Sequence, residues 1–225
     1  MEKAMIFDMD GTLFQTHKIL EISLEDTFNH LRSIDLWDSE TPINKYKSIM
    51  GVPLPVVWET LLPNHDKSIH KYTDEYFLER LIENIERGKG ALYPNVAELF
   101  SYLKNEDYAI FIASNGLTKY LQAIVRHYGL DQWVTETFSI QLIDSLDKAD
   151  LVKLIVEKYD IKQAAVVGDR LSDILAAKRN GFKAVGCQFD FAQADELAQA
   201  DLIIEDLLEI QSILGSDNKS QLLPL

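Results

Sequence analysis

Ile6-Phe7-Asp8-Met9-Asp10-Gly11-Thr12-Leu13 is the stretch from which the rest of this chain can be read. An apolar run, Ala4 to Phe7, stops at two carboxylates two residues apart, and a glycine follows. This pattern predicts a short buried strand that ends at the carboxyl edge of a sheet, where open α/β proteins bind ligands. Residues i and i+2 of an extended chain point the same way, so Asp8 and Asp10 are expected to face one pocket. Two ionised carboxylates that close repel, and each raises the other's pKa unless a cation sits with them. The pair therefore points to a divalent metal, to one acid and one nucleophile, or to both.

Outward from that strand, residues 16–88 read as helical. Leu20, Leu24, Phe28 and Leu31 recur at helical spacing. Pro53 and Pro55 are expected to precede a short helix, Val56 to Leu62, which Pro63 ends. A longer helix carrying Ile69, Tyr72, Tyr76, Leu81 and Ile85 stops at Gly88 and Gly90. From Leu92 the pattern changes to regular alternation. A helix opens at Pro94, a strand Ala109–Ala113 ends in Ser114-Asn115-Gly116, and a helix runs from Thr118 to Tyr128. A strand near Val134–Ile140 precedes a helix from about Asp147 to Tyr159, and the strand Ala164–Val167 ends in Gly168-Asp169. A helix Ser172–Asn180, strands Ala184–Gly186 and Leu202–Ile204, and a helix Asp206–Leu214 complete the series. Near-continuous apolar strands between helices predict a Rossmann-like, doubly wound parallel sheet with an inserted all-α domain. The boundaries expected are 1–15 with 89–215 for the core, 16–88 for the insert, and a frayed tail at 216–225. Three of the strands end on polar residues, Asp8, Ser114 and Asp169, and converging strand ends build one crevice.

The 225 residues suffice for one substantial core and a smaller domain. A formal charge of −14 argues against nucleic acid and anionic membranes as partners, since both select basic patches. No apolar run approaches the ~18 residues that span a bilayer. The single cysteine, Cys187, fits a reducing compartment, so a cytoplasmic protein is expected; a monomer or weak homo-oligomer is expected as well. The five histidines show no ligand spacing.

Asp8-Met9-Asp10-Gly11-Thr12-Leu13, Ser114-Asn115, Lys148 and Gly168-Asp169-Arg170-Leu171-Ser172-Asp173 together resemble the four motifs of the haloacid dehalogenase-like hydrolases, in the family's order. The helical insert is similar to the cap of the phosphoglycolate phosphatase and β-phosphoglucomutase branch. The resemblance implies a Mg²⁺-dependent phosphatase acting on a small phosphorylated metabolite through an aspartyl-phosphate. Asp8 would be the nucleophile, and Asp10 would protonate the leaving oxygen and then activate water. The backbone carbonyl of Asp10, rather than its carboxylate, would touch the metal. Gly11 would turn the chain past the phosphate with its amide exposed, and Ser114 and Asn115 would bind phosphoryl oxygens. Lys148 would be the fixed cation, while Lys153 and Lys158 read as a solvated helix face. Asp169 would join Asp8 on the metal, with Asp173 as a further ligand or as an acceptor behind it. The branch that cleaves carbon–halogen bonds lacks the second carboxylate, so the presence of Asp10 points to phosphate. The chain departs from the pattern at Gln15-Thr16-His17, where relatives carry acidic residues or Asp-Ser, and at Ala149, where many carry proline. A phosphomutase, or a non-catalytic phospho-accepting regulator, would use the same residues.

Overall fold

The computed structural model describes residues 2–49, 54–190 and 192–215. Two compact units emerge, residues 1–15 with 91–225 and residues 16–90. Pro53 and the tail 216–225 lie outside the described residues.

The first unit holds a six-stranded sheet built from β1 (Lys3–Phe7), β2 (Ala109–Ser114), β3 (Glu136–Ser139), β4 (Gln163–Gly168), β5 (Lys183–Cys187) and β6 (Leu202–Ile204). Its spatial order is β3-β2-β1-β4-β5-β6, and every pairing is parallel. The order reverses between β1 and β4. At such a switch point the connecting segments diverge to opposite sides and leave a crevice at the strands' carboxyl ends. Alternation along each strand covers both faces. Ala4 and Ile6 join Phe111, Val166 and Ala184 in a core that includes Leu151, Val152 and Ile155, while the Phe7 ring meets Phe100 on the opposite side at 5.2 Å.

The remaining helices of this unit, numbered in chain order after four in the other, are α5 (Val96–Asn105), α6 (Thr118–His127), α7 (Lys148–Tyr159), α8 (Leu171–Arg179) and α9 (Leu208–Gly215). Several ends differ from expectation for local reasons. The helix expected at Pro94 starts at Val96, because Asn95 is left-handed (φ 67°) and its amide binds both carboxylate oxygens of Asp206. Asp206 itself precedes α9 and accepts from the Leu208 amide at 2.7 Å. The edge strand β3 is shorter than the apolar run suggested. The two passages between units are tied together inside the first one. Gln15 receives the Ala91 carbonyl on its amide and gives its side-chain Nε2 to Leu92 (2.6 Å), while the Tyr93 amide bonds Leu13.

The second unit is all helical, with α1 (His17–Ser33), α2 (Ile43–Ser48), α3 (Leu54–Leu61) and α4 (Lys67–Glu86). Trp58 and Phe77 meet edge-to-face at 5.4 Å, and the Trp58 indole N–H donates to Asp74 at 2.7 Å. Helix α3 begins before Pro55 rather than after it. A proline in a first turn lacks only an N–H that has no intrahelical acceptor, so the helix tolerates it there.

Candidate active site

Asp8 follows β1 directly, and its amide extends the sheet ladder to the Val167 carbonyl at 2.8 Å. Asp169 follows β4, the next strand across the switch point, and Asp173 lies in the first turn of α8. Adjacent strand ends and one helical turn thus bring three carboxylates together. One oxygen from each of Asp8, Asp169 and Asp173 lies within 4.8 Å of the others, and all three residues are buried.

Lys148 is the counter-charge. Asp147 caps α7 by accepting the Ala149 amide at 2.9 Å, which places Lys148 at the first helical position. Its ammonium reaches Asp8 Oδ1 at 2.6 Å and Asp173 Oδ1 at 2.5 Å, with its side chain 2% exposed. Lys153 and Lys158 pair elsewhere, with Glu157 and Glu136. Three buried carboxylates and one ammonium leave a net negative site, and its protonation behaviour follows. Burial, then the charges of Asp8 and Asp173, pushes the Asp169 carboxyl up to about 8. Burial also raises Asp173, to about 6, although the Lys148 charge opposes the rise. Burial pulls the Lys148 ammonium down, but the charges of Asp173 and Asp8 outweigh it and hold the proton well above the ordinary lysine range. Such a donor set, oxygen-only, crowded and short of positive charge, fits a hard divalent cation.

Two glycines make room for these carboxylates. A methyl group on Gly168 would overlap the carboxyl carbon of Asp173, and one on Gly11 would overlap the Asp169 carboxylate. Gly11 also has φ 77°, a left-handed conformation that side chains resist.

Other expected residues are placed less simply. β1 ends at Phe7, so Asp8 and Asp10 do not share the face of one strand, and Asp10 stands outside the carboxylate triad. The Asp10 carboxylate accepts the phenol of Tyr120 at 2.5 Å. The Gly11 amide, expected to be exposed, donates to the Phe14 carbonyl at 3.0 Å because the chain closes a tight turn there. Ser114 ends β2 and is buried, its hydroxyl oxygen accepting the Gly116 amide at 3.0 Å, whereas Asn115 is exposed.

Some residues in the site escaped the sequence. Thr12, fully buried, donates to Asp169 at 3.2 Å. Its position in the first motif was a signal, but its partner lies 157 residues away. Glu196 grips Arg170 through Nε (2.8 Å) and Nη2 (2.9 Å) and accepts the Leu171 amide at 3.0 Å, fastening the start of α8. No pattern in the sequence marks Glu196.

Comparison with known proteins agrees with this architecture. A family model described as haloacid dehalogenase-like hydrolase matches residues 2–181. A phosphoglycolate phosphatase of Pasteurella multocida is 25% identical over 229 residues, covering 94% of this chain and 98% of that protein. A 5'-nucleotidase of Pseudomonas aeruginosa is 22% identical, with 94% and 95% covered. The crystal structure of a predicted phosphoglycolate phosphatase from Haemophilus somnus 129pt superposes with a TM-score of 0.80 at 25% identity, over 94% of this chain and 97% of that one. The chain belongs to the haloacid dehalogenase-like hydrolase family, as an enzyme of its phosphatase type.

Proposed function

We propose that this enzyme hydrolyses the phosphate monoester of a small metabolite, with Mg²⁺ as cofactor and an aspartyl-phosphate on Asp8 as intermediate. The observation that carries the reading is the buried triad of Asp8, Asp169 and Asp173 with Lys148 paired to two of its members. Mg²⁺, when held by those three carboxylates, supplies the positive charge that lets an anionic nucleophile meet an anionic phosphate.

The chain's own residues do the rest. Lys148 orients Asp8 and contributes fixed positive charge beside it. The Asp8 oxygen bonds to phosphorus as the bond from phosphorus to the leaving oxygen breaks, and Asp10 gives that oxygen its proton. Water then attacks the phosphoryl group, Asp10 takes the proton, and inorganic phosphate and free Asp8 result. Ser114, whose oxygen accepts from Gly116, has a hydroxyl proton to offer a phosphoryl oxygen. Asn115 adds a further phosphate contact, while Gly11 serves by letting the chain turn beside the site. Residues 16–90 serve as the cap that selects the substrate. Relatives named for phosphoglycolate and for 5'-nucleotides support one reaction with different specificities.

The test is phosphate release from a broad panel of phosphorylated metabolites, with Mg²⁺ and with EDTA. Asp8→Asn should abolish turnover and preserve the fold. Residual activity above ~1% in that variant would remove Asp8 as nucleophile, because covalent catalysis supplies orders of magnitude. Full activity in EDTA would remove the metal.

A further inference from the structure

The phenol of Tyr120 is bound to the carboxylate of Asp10, and nothing in the four motifs calls for a tyrosine there. We propose that Tyr120 is a positioning residue, holding the Asp10 carboxyl group in the orientation that delivers a proton to the leaving oxygen. The inference rests on the acid role proposed above for Asp10.

Three features make the contact a built one. First, Tyr120 is 6% exposed, and its O–H donates to Asp10 Oδ1 at 2.5 Å across 110 residues of sequence. A buried phenol must find a partner, and here that partner is a carboxylate in the turn that follows the nucleophile. Second, Tyr120 lies in the first turn of α6, whose start is fastened from the end of β3 and the turn after it. The Thr118 amide donates to Gln141 Oε1 at 2.8 Å, and the Ser139 hydroxyl donates to the Gly116 carbonyl at 2.6 Å. Third, Gly116 admits the ring, since a methyl there would come to 3.2 Å of Tyr120 Cδ1 and 3.0 Å of Leu121 Cδ2. The segment that carries Ser114 therefore also fixes the plane of the Asp10 carboxyl.

An acid contributes only when its proton lies along the line to the accepting atom. A carboxyl group in a turn can rotate about its terminal torsion, and the phenol on Oδ1 removes that freedom. As the bond from phosphorus to oxygen breaks, the Asp10 proton passes to the departing alkoxide oxygen. The carboxylate so formed keeps the Tyr120 hydrogen bond. A poor leaving group needs this proton, whereas an acidic phenol departs as its anion without it.

That difference supplies the experiment. Wild type, Tyr120→Phe and Asp10→Asn are compared on an alkyl phosphate and on p-nitrophenyl phosphate, with Mg²⁺ saturating. The quantity read is kcat/KM, which covers only the steps through departure of the alcohol. Tyr120→Phe should lose about tenfold on the alkyl ester and less than about twofold on the aryl ester, a modest share of the 10²–10⁴ that an acid supplies. Asp10→Asn should show the same contrast, larger. Equal losses on both esters, or none on either, for Tyr120→Phe would overturn the positioning role. Absence of the contrast in Asp10→Asn would instead overturn the acid assignment beneath it. If Tyr120→Phe does not fold, Tyr120→Leu, which also removes the donor, is read in its place against the same two outcomes.

Discussion

Replacing Lys148 with methionine keeps most of the side-chain volume and removes one charge from a place where water cannot substitute for it. The ammonium is within 2.6 Å of Asp8 and 2.5 Å of Asp173, and its side chain is 2% exposed. Removing one partner of a buried ion pair leaves the other uncompensated, at about 3–5 kcal/mol. For a chain of this size that corresponds to a fall in Tm of roughly 6–20 °C. The loss should be larger at pH 8.5 than at pH 6. Asp169 is pushed up to about 8 and is therefore protonated at pH 6, so fewer negative charges then crowd the pocket. The assay is thermal or urea unfolding of wild type and Lys148→Met in EDTA at both pH values, repeated with millimolar Mg²⁺. The divalent ion should recover more stability in the variant, because it replaces the missing positive charge. A variant as stable as wild type in EDTA at pH 8.5 would refute the reasoning. It would mean that the three carboxylates relax apart without the lysine and are not held in a charged cluster.

Further predictions concern the same cluster. In EDTA, Asp169 and Asp173 hold protons in the folded enzyme that the unfolded chain, where an aspartate titrates near 3.8, has already released. Folding stability should therefore fall as pH rises from about 4 to about 8, while the stabilisation added by Mg²⁺, which displaces those protons, should grow over the same range. Calorimetry at several pH values with and without Mg²⁺ checks both signs. Glu196→Gln loosens the grip on Arg170 and Leu171, and the Mg²⁺ concentration for half-maximal activity should rise about tenfold, as when outer contacts of a metal site are lost. Gly168→Ala drives a methyl group into the Asp173 carboxyl, and should lower stability by about 1–3 kcal/mol and weaken Mg²⁺ activation, read by unfolding and by metal titration.

Much of the architecture is legible because its causes are local. Short apolar runs at β1, β2 and β4, bounded by turn residues, read as buried strands, and the apolar run of each gives way to a polar residue at its carboxyl end. Strand ends carrying Asp8, Ser114 and Asp169 are therefore visible in the sequence as breaks in hydropathy. What misled the sequence view is equally local in origin. The Gly11 amide was expected to be exposed, but β1 ends at Phe7 and the residues after Asp8 close a turn in which that amide bonds Phe14. Helix ends were misplaced at Asn95 and Pro55, where a left-handed residue and a tolerated proline move the boundary.

The chain's order of apolar and polar residues determines the parallel sheet, the helical insert and the candidates Asp8, Asp10, Ser114 and Asp169, whereas Lys148 is singled out by the resemblance of the motifs. Only the tertiary structure decides that Lys148 pairs with both Asp8 and Asp173, that Thr12 binds Asp169, that Tyr120 binds Asp10 and that Glu196 secures α8. The physical reason is the range of the interactions. Burial and strand periodicity are properties of neighbouring residues, whereas these hydrogen bonds and ion pairs form between atoms that the fold brings together from separate segments of the chain, several of them across the topological switch point.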